Sequence, residues 1–187
     1  MTPHLLTLAL ALHTAAPSAP VPVLERAVAA TSCMSTRPTK LLVADMSQPS
    51  SARRFWAFDV SGETPVLIRQ AKVAHGRGSD PKHTGTPVAF GDTSSSGMTS
   101  LGLYSVGSAY TGKHGQSFHL TGLSSTNATA YARAVVLHPA PYVATGGRSL
   151  GCPALMPEDF RAVTDGGMDN TALWIDGPGA PAPSCST

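Results

Sequence analysis

Cys152 is the residue best suited to chemistry. It lies in Arg148-Ser149-Leu150-Gly151-Cys152-Pro153-Ala154-Leu155, with His138 fourteen positions upstream. A thiol becomes a strong nucleophile when a neighbour takes its proton or stabilises the thiolate. His138 closes the apolar run Arg133-Ala134-Val135-Val136-Leu137-His138, and Gly146-Gly147 lead the chain back toward the cysteine. A strand end and a returning loop can bring two such side chains together. Gly151 removes side-chain bulk beside the nucleophile, and N–H groups at a sharp turn there can face a developing oxyanion. Pro153 has no N–H, so such donors must include Cys152 itself or a residue across the pocket. Spacing alone leaves a second reading open, a small buried cysteine and an ordinary strand-end histidine.

His75 is the next candidate. It ends the run Val66 to Ala74 and precedes Gly76-Arg77-Gly78, which would put it at the mouth of a site. The other reading is a histidine packed in a turn. The histidines His75, His83, His114, His119 and His138 show no His-Glu-x-x-His spacing, and no Cys-x-x-Cys pair is present. No metal is therefore expected, and no cofactor either, since Gly76-Arg77-Gly78 lacks the rest of a phosphate-cradling pattern. His114 and His119 flank a turn and read as packing or surface residues.

The elements that must position these groups are mostly short strands. Leu41–Met46 reads as a strand, Arg54–Val60 as a second one rich in aromatic and β-favouring residues, and Val66–Val73 returns after the turn at Ser61–Pro65 to make a hairpin. Residues 75–100 form a long loop full of Gly, Ser, Thr, Pro and His, and loops of that length are often functional. A strand or turn is expected near Leu101–Tyr104, a short strand at Ser117–Leu120, a helical turn within Asn127–Arg133, and a buried strand up to His138. Pro157–Val163 reads as a helix, with Pro at its start, acids in its first turn and Gly166-Gly167 to stop it. Thr171–Ile175 is a last strand. Many short strands with minor helices predict a mainly β sandwich or barrel.

The chain has 187 residues, enough for one domain with trimmings at its ends. A net charge of +2 without a Lys/Arg block argues against a nucleic-acid partner. The apolar run within residues 1–12 is too short to span a bilayer, and small residues follow in Thr14–Pro20. Residues 1–19 therefore read as a secretory signal, although the run carries no Lys or Arg. An apolar N-terminal strand or helix of a cytosolic domain is the competing reading. No later run is long and apolar enough to cross a membrane. Residues 20–40 read as a Pro/Ala/Thr-rich linker with one helical turn at most, 41–177 as the catalytic domain, and 178–187 as a flexible tail. Cys33 and Cys185 flank the domain, and a bridge between them would leave Cys152 free. All three thiols being free is the alternative, because spacing does not reveal geometry. Nothing in the sequence bears on the oligomeric state.

Several motifs occur in an order that resembles the L,D-transpeptidase catalytic domain (YkuD-like) family. They are Val73–Gly78, Thr99–Tyr104, Tyr110–Gly115, Leu120–Leu123, Arg133–His138 and Arg148–Leu155, within residues 41–176. The resemblance implies a β-rich fold, Cys152 as nucleophile, His138 as base, and the stem peptides of peptidoglycan as substrate in the periplasm or cell envelope. With such a substrate, His75 would bind a carboxylate together with Arg77, Arg77 and Arg148 could each pair with a stem-peptide carboxylate, and Arg148, Ser149 or the long loop 75–100 would supply further polar contacts. Arginine suits a carboxylate because its guanidinium binds it in a bidentate way. One departure stands out. Better-known members carry Ser-His-Gly-Cys followed by Arg or Asn, whereas Leu150 takes the place of that second histidine here and Pro153-Ala154 follow the cysteine. Transfer to an amine (transpeptidase) and to water (L,D-carboxypeptidase) both fit, as do a non-catalytic peptidoglycan-binding module and a secreted thiol hydrolase of ordinary peptides or esters.

Overall fold

The computed structural model describes residues 3–183. Its eight strands are β1 (Lys40–Asp45), β2 (Phe55–Asp59), β3 (Val66–Ala71), β4 (Gly102–Gly112), β5 (Gly115–Gly122), β6 (Val136–Pro139), β7 (Ala154–Leu155) and β8 (Thr171–Asp176). They form one mixed sheet in the order β3-β2-β1-β8-β4-β5-β6-β7. The β1–β8 and β6–β7 pairs are parallel and the rest antiparallel. The two ends nearly meet: Ala74, just past β3, bridges Ala154 of β7, and Gly76 bridges Ser149. The expected mainly β, barrel-like fold is thus present, and its seam runs beside Cys152.

The central strands are buried on both faces, which explains why β1 reads as an unbroken apolar run rather than an alternating one. Side chains alternate across the sheet. Leu42 and Ala44 therefore join an inner core with Phe55, Tyr104, Leu120, Leu137 and Leu173. Leu41 and Val43 face an outer core with Trp56, Phe58, Leu103 and Trp174. Helix α3 (Pro157–Thr164) starts on its proline, carries Glu158 and Asp159 in its first turn, and adds Phe160 and Val163 to the inner core.

Two helices cover the outer core. α1 (Pro3–Ala15) packs on α2 (Val21–Thr31), which packs on β1, β4 and β8. The segment expected as a linker therefore holds a packed helix. Val23, Leu24, Ala27 and Val28 recur at helical spacing on its buried side. Pro22 is harmless in its first turn, where no intrahelical N–H bond is due. The segment expected as an export signal forms α1, with Ala9 and Leu12 buried against the outer core. No helix among the described residues is long and apolar enough to cross a membrane. Pro178–Pro183 carry no regular structure, although Ala180 packs on both cores. Cys33 is disulfide-bonded and Cys152 is a free thiol. Cys185, the partner expected for Cys33, lies outside the described residues.

Arg26 clamps α2 to the sheet. Its Nε donates to Asp176 Oδ2 at 2.8 Å and a terminal nitrogen donates to Oδ1 at 3.0 Å, while Trp174 Nε1 donates to Oδ2 at 2.7 Å. Asp176 is buried, so losing Arg26 would leave a carboxylate without its countercharge. Arg26→Ala is expected to cost about 1.5–3 kcal/mol. A thermal melt should register this as a fall in Tm of roughly 5 °C.

Candidate active site

The site is built at the barrel seam. Ser149 N–H donates to the His75 carbonyl at 2.9 Å, and Arg77 N–H donates to the Ser149 carbonyl at 2.8 Å. These bonds hold the Cys152 turn against the strand that continues β3. Within the turn, the Ser149 hydroxyl donates to the Cys152 carbonyl at 2.7 Å and accepts the Gly151 N–H at 3.0 Å. Ser149 is thus an internal brace of the Cys152 turn. The Gly151 N–H, expected as an oxyanion donor, is spent on that hydroxyl. The Cys152 N–H makes no hydrogen bond among the described residues and remains available.

Gly151 is the only residue type that fits its place. Its φ of 122° lies where a side chain is strained, and an added Cβ would stand 2.7 Å from the Met98 carbonyl oxygen and 3.1 Å from an Arg133 nitrogen. Gly76 backs it so closely that a Cβ there would stand 2.9 Å from the Gly151 Cα. Gly151→Ala is expected to lower Tm and to cut turnover at least about tenfold, because even a small displacement of a nucleophile is costly. Melts and initial rates on the same preparation check both.

Cys152 and His138 line one cavity of about 610 Å³. His138 is 2 % exposed at the end of β6. Its Nδ1 lies 3.1 Å from the Pro139 carbonyl, which can only accept, so Nδ1 carries the proton and Nε2 keeps its lone pair. Burial pulls the imidazole down to about 4. Burial likewise pushes the Cys152 thiol up, partly opposed by a backbone hydrogen bond from Val136 and by the charges of Arg133 and Lys113. At neutral pH the pair is a thiol and a neutral imidazole. The thiol donates to the Ala134 carbonyl at 3.9 Å, and no hydrogen bond joins it to His138 among the described residues. Ala134 holds a left-handed φ of 55°, a conformation that costs energy in a residue with a side chain and that recurs at functional sites.

The remaining sequence candidates are divided. Arg148 and Ser149 line the cavity, but one Arg148 guanidinium nitrogen donates to the Asp80 carbonyl. His75 and Arg77 do not line it. His75 is fully buried behind the Cys152 turn. Its Nδ1 accepts from Arg54 at 2.8 Å, and its Nε2 stands 3.5 Å from Asp80 Oδ2. Burial and the Arg54 charge drive its pKa down to about 4, so it is a neutral link between a buried cation and a carboxylate. Arg77 contributes its backbone N–H, while its side chain is exposed. No group of three or more His, Cys, Asp or Glu among the described residues could hold a metal ion.

Sequence reasoning missed the β4–β5 hairpin. Gly112 pairs with Gly115, which leaves Lys113 and His114 as its tip, and Gly115 takes the left-handed position (φ 77°) that closes such tight loops. The tip reaches the cavity, where the His114 ring stacks on His138 with centroids 4.1 Å apart. The signal was legible, since two residues between glycines, flanked by β-favouring runs, mark a hairpin. Tyr142 also lines the cavity and meets His138 edge-on at 6.5 Å.

The family model of the L,D-transpeptidase catalytic domain matches residues 16–175. Among solved structures, an L,D-transpeptidase from Xylanimonas cellulosilytica DSM 15894 is 15% identical, with a TM-score of 0.46 over 76% of this chain and 62% of that one. An L,D-transpeptidase from Mycobacterium tuberculosis H37Rv is 16% identical, with a TM-score of 0.46 over 74% of this chain and 58% of that one. Bd1075 from Bdellovibrio bacteriovorus is 14% identical, with a TM-score of 0.46 over 74% and 48%. The chain therefore spans about half to six-tenths of the length of these proteins. No curated protein matches it. The family match covers most of the chain, including both seam segments and the Cys152 turn, and the chain belongs to the L,D-transpeptidase catalytic domain family.

Proposed function

We propose that this protein is a cysteine-dependent acyltransferase acting on the stem peptides of peptidoglycan. One observation carries the reading: a free thiol and an imidazole with its proton fixed on Nδ1 line the same cavity. His138 Nε2 takes the Cys152 proton as sulfur attacks the amide carbonyl between the third stem residue, an L-centred diamino acid, and the terminal D-alanine. A carbon–sulfur bond forms, and the oxyanion is met by the Cys152 N–H. The carbon–nitrogen bond then breaks, the imidazolium returns its proton to the leaving amine, and a thioester remains. An amine of a neighbouring stem attacks the thioester and gives up a proton to His138. The amide forms, the carbon–sulfur bond breaks and the thiol is regenerated. Attack by water in that second half would make the enzyme an L,D-carboxypeptidase. Since the substrate belongs to the cell wall, the protein is proposed to act after export, in the periplasm or cell envelope.

Incubation with purified muropeptides tests this by product mass. Cross-linked dimers indicate the transpeptidase, loss of D-alanine without dimers the carboxypeptidase, and unchanged muropeptides contradict both. One observation favours a second reading, a wall-binding module without turnover: the Cys152 thiol donates a long hydrogen bond to the Ala134 carbonyl and its acidity is suppressed. That module would bind muropeptides and leave them intact.

A further inference from the structure

The charged side chains that line the cavity are Lys113, Arg133 and Arg148, and no Asp or Glu is among the lining residues. Two of the three are already engaged. Arg133 donates to Asp92 Oδ1 at 2.9 Å and to the Met98 carbonyl at 2.7 Å, which ties the long loop to the wall of the site. Arg148 is tied to the Asp80 carbonyl. The Lys113 ammonium has no ion pair or hydrogen bond among the described residues. It is nonetheless held near the chemistry, because its neighbour His114 is stacked on His138 and so pins the hairpin tip over the base. Its positive charge is felt at His114, His138 and Cys152.

An unpaired cation at the rim of a half-enclosed cavity with no acidic lining is a receptor for an anion. On a peptide acyl donor that anion is a carboxylate. We infer that Lys113 recognises a carboxylate of the acyl donor and is a specificity-determining residue of this site. The inference rests on the proposed acyl transfer. It also moves carboxylate recognition away from Arg77 and Arg148, one outside the cavity and the other engaged by backbone. The carboxylate of the terminal D-residue and that on the side of the diamino acid share this chemistry and lie nearest the reacting carbonyl.

The test is equilibrium binding to the full-length Cys152→Ala protein, which cannot turn the ligand over. Three stem tetrapeptides are compared: the free acid, its C-terminal carboxamide, and the form amidated on the diamino acid. With Lys113 present, amidating the recognised carboxylate should weaken binding about tenfold, as for a lost charge-assisted hydrogen bond. The peptide that suffers identifies which carboxylate is read. Adding Lys113→Gln should bring the free acid down to the level of that amide and leave the amide unchanged, whereas Lys113→Arg should keep the preference. A preference that survives Lys113→Gln, or an equal loss on all three peptides, overturns the inference while the stem-peptide reading stands. If the folded Cys152→Ala protein binds none of the three, both fail together. Lys113 is exposed at a hairpin tip, so melts of each variant should match the parent.

Discussion

Replacing Cys152 with alanine is expected to remove acyl transfer, a loss of at least about 10³–10⁴-fold, because Cys152 is the only thiol among the residues that line the cavity. Serine should fare no better. A hydroxyl is a far weaker acid than a thiol, and the neutral imidazole of His138 has limited power to activate it. Neither variant should disturb the fold. The hydrogen bonds that shape the turn run through the Ser149 hydroxyl, the Gly151 N–H and the Cys152 carbonyl, none of which belongs to the sulfur. Turnover of stem peptide paired with a melt checks this. Loss of activity with an unchanged melt is the expected outcome.

His138 carries the second large effect. Removing a general base of this kind typically costs 10²–10⁴-fold, so His138→Ala should retain at most about a hundredth of the wild-type kcat/KM. The pH profile distinguishes a base from a merely structural ring. Burial holds His138 at about 4, so the imidazole stays neutral and competent down to that value. Activity should therefore be flat from neutrality to about pH 5 and fall as pH drops through about 4. An ordinary histidine would place that limb near 6.5. Stability follows the same group. Between about 6.5 and 4 the unfolded chain binds the proton and the folded chain does not, so the fold loses stability as pH falls through that window. His75, also held at about 4, adds to the loss. Melts at each pH separate unfolding from titration of the base.

The parts of the molecule legible in the sequence are those whose signal is local. β1, β2, β3 and β8 fall where β-favouring runs end at turn residues, and α3 falls where proline, acids and paired glycines frame it. α2 escaped because Pro20 and Pro22 suggested a linker, while its Val23, Leu24, Ala27 and Val28 spacing covers little more than one turn of helix. The extent of β4 escaped for the opposite reason: its glycines, serines and threonine mute the alternation that marks a strand. At the site, chain position brought out Cys152 and His138, yet the direction of a side chain depends on strand register, which a sequence does not display. One residue of register separates a face that opens on a cavity from one that closes on a core. His75 thus lies buried against Arg54, and His114, read as a packing or surface residue, stacks on His138. The close backing of Gly76 on Gly151 arises from barrel closure, a contact between segments more than seventy residues apart.

The sulfur of Cys152 as the atom that holds the acyl group is best tested by intact-protein mass spectrometry after brief mixing with a stem tetrapeptide. The wild type should gain the mass of the tripeptide acyl group, localised after digestion to the peptide that contains Cys152, and Cys152→Ala should gain nothing. A wild type that consumes the tetrapeptide without any adduct, or a Cys152→Ala protein that consumes it equally fast, would contradict that assignment.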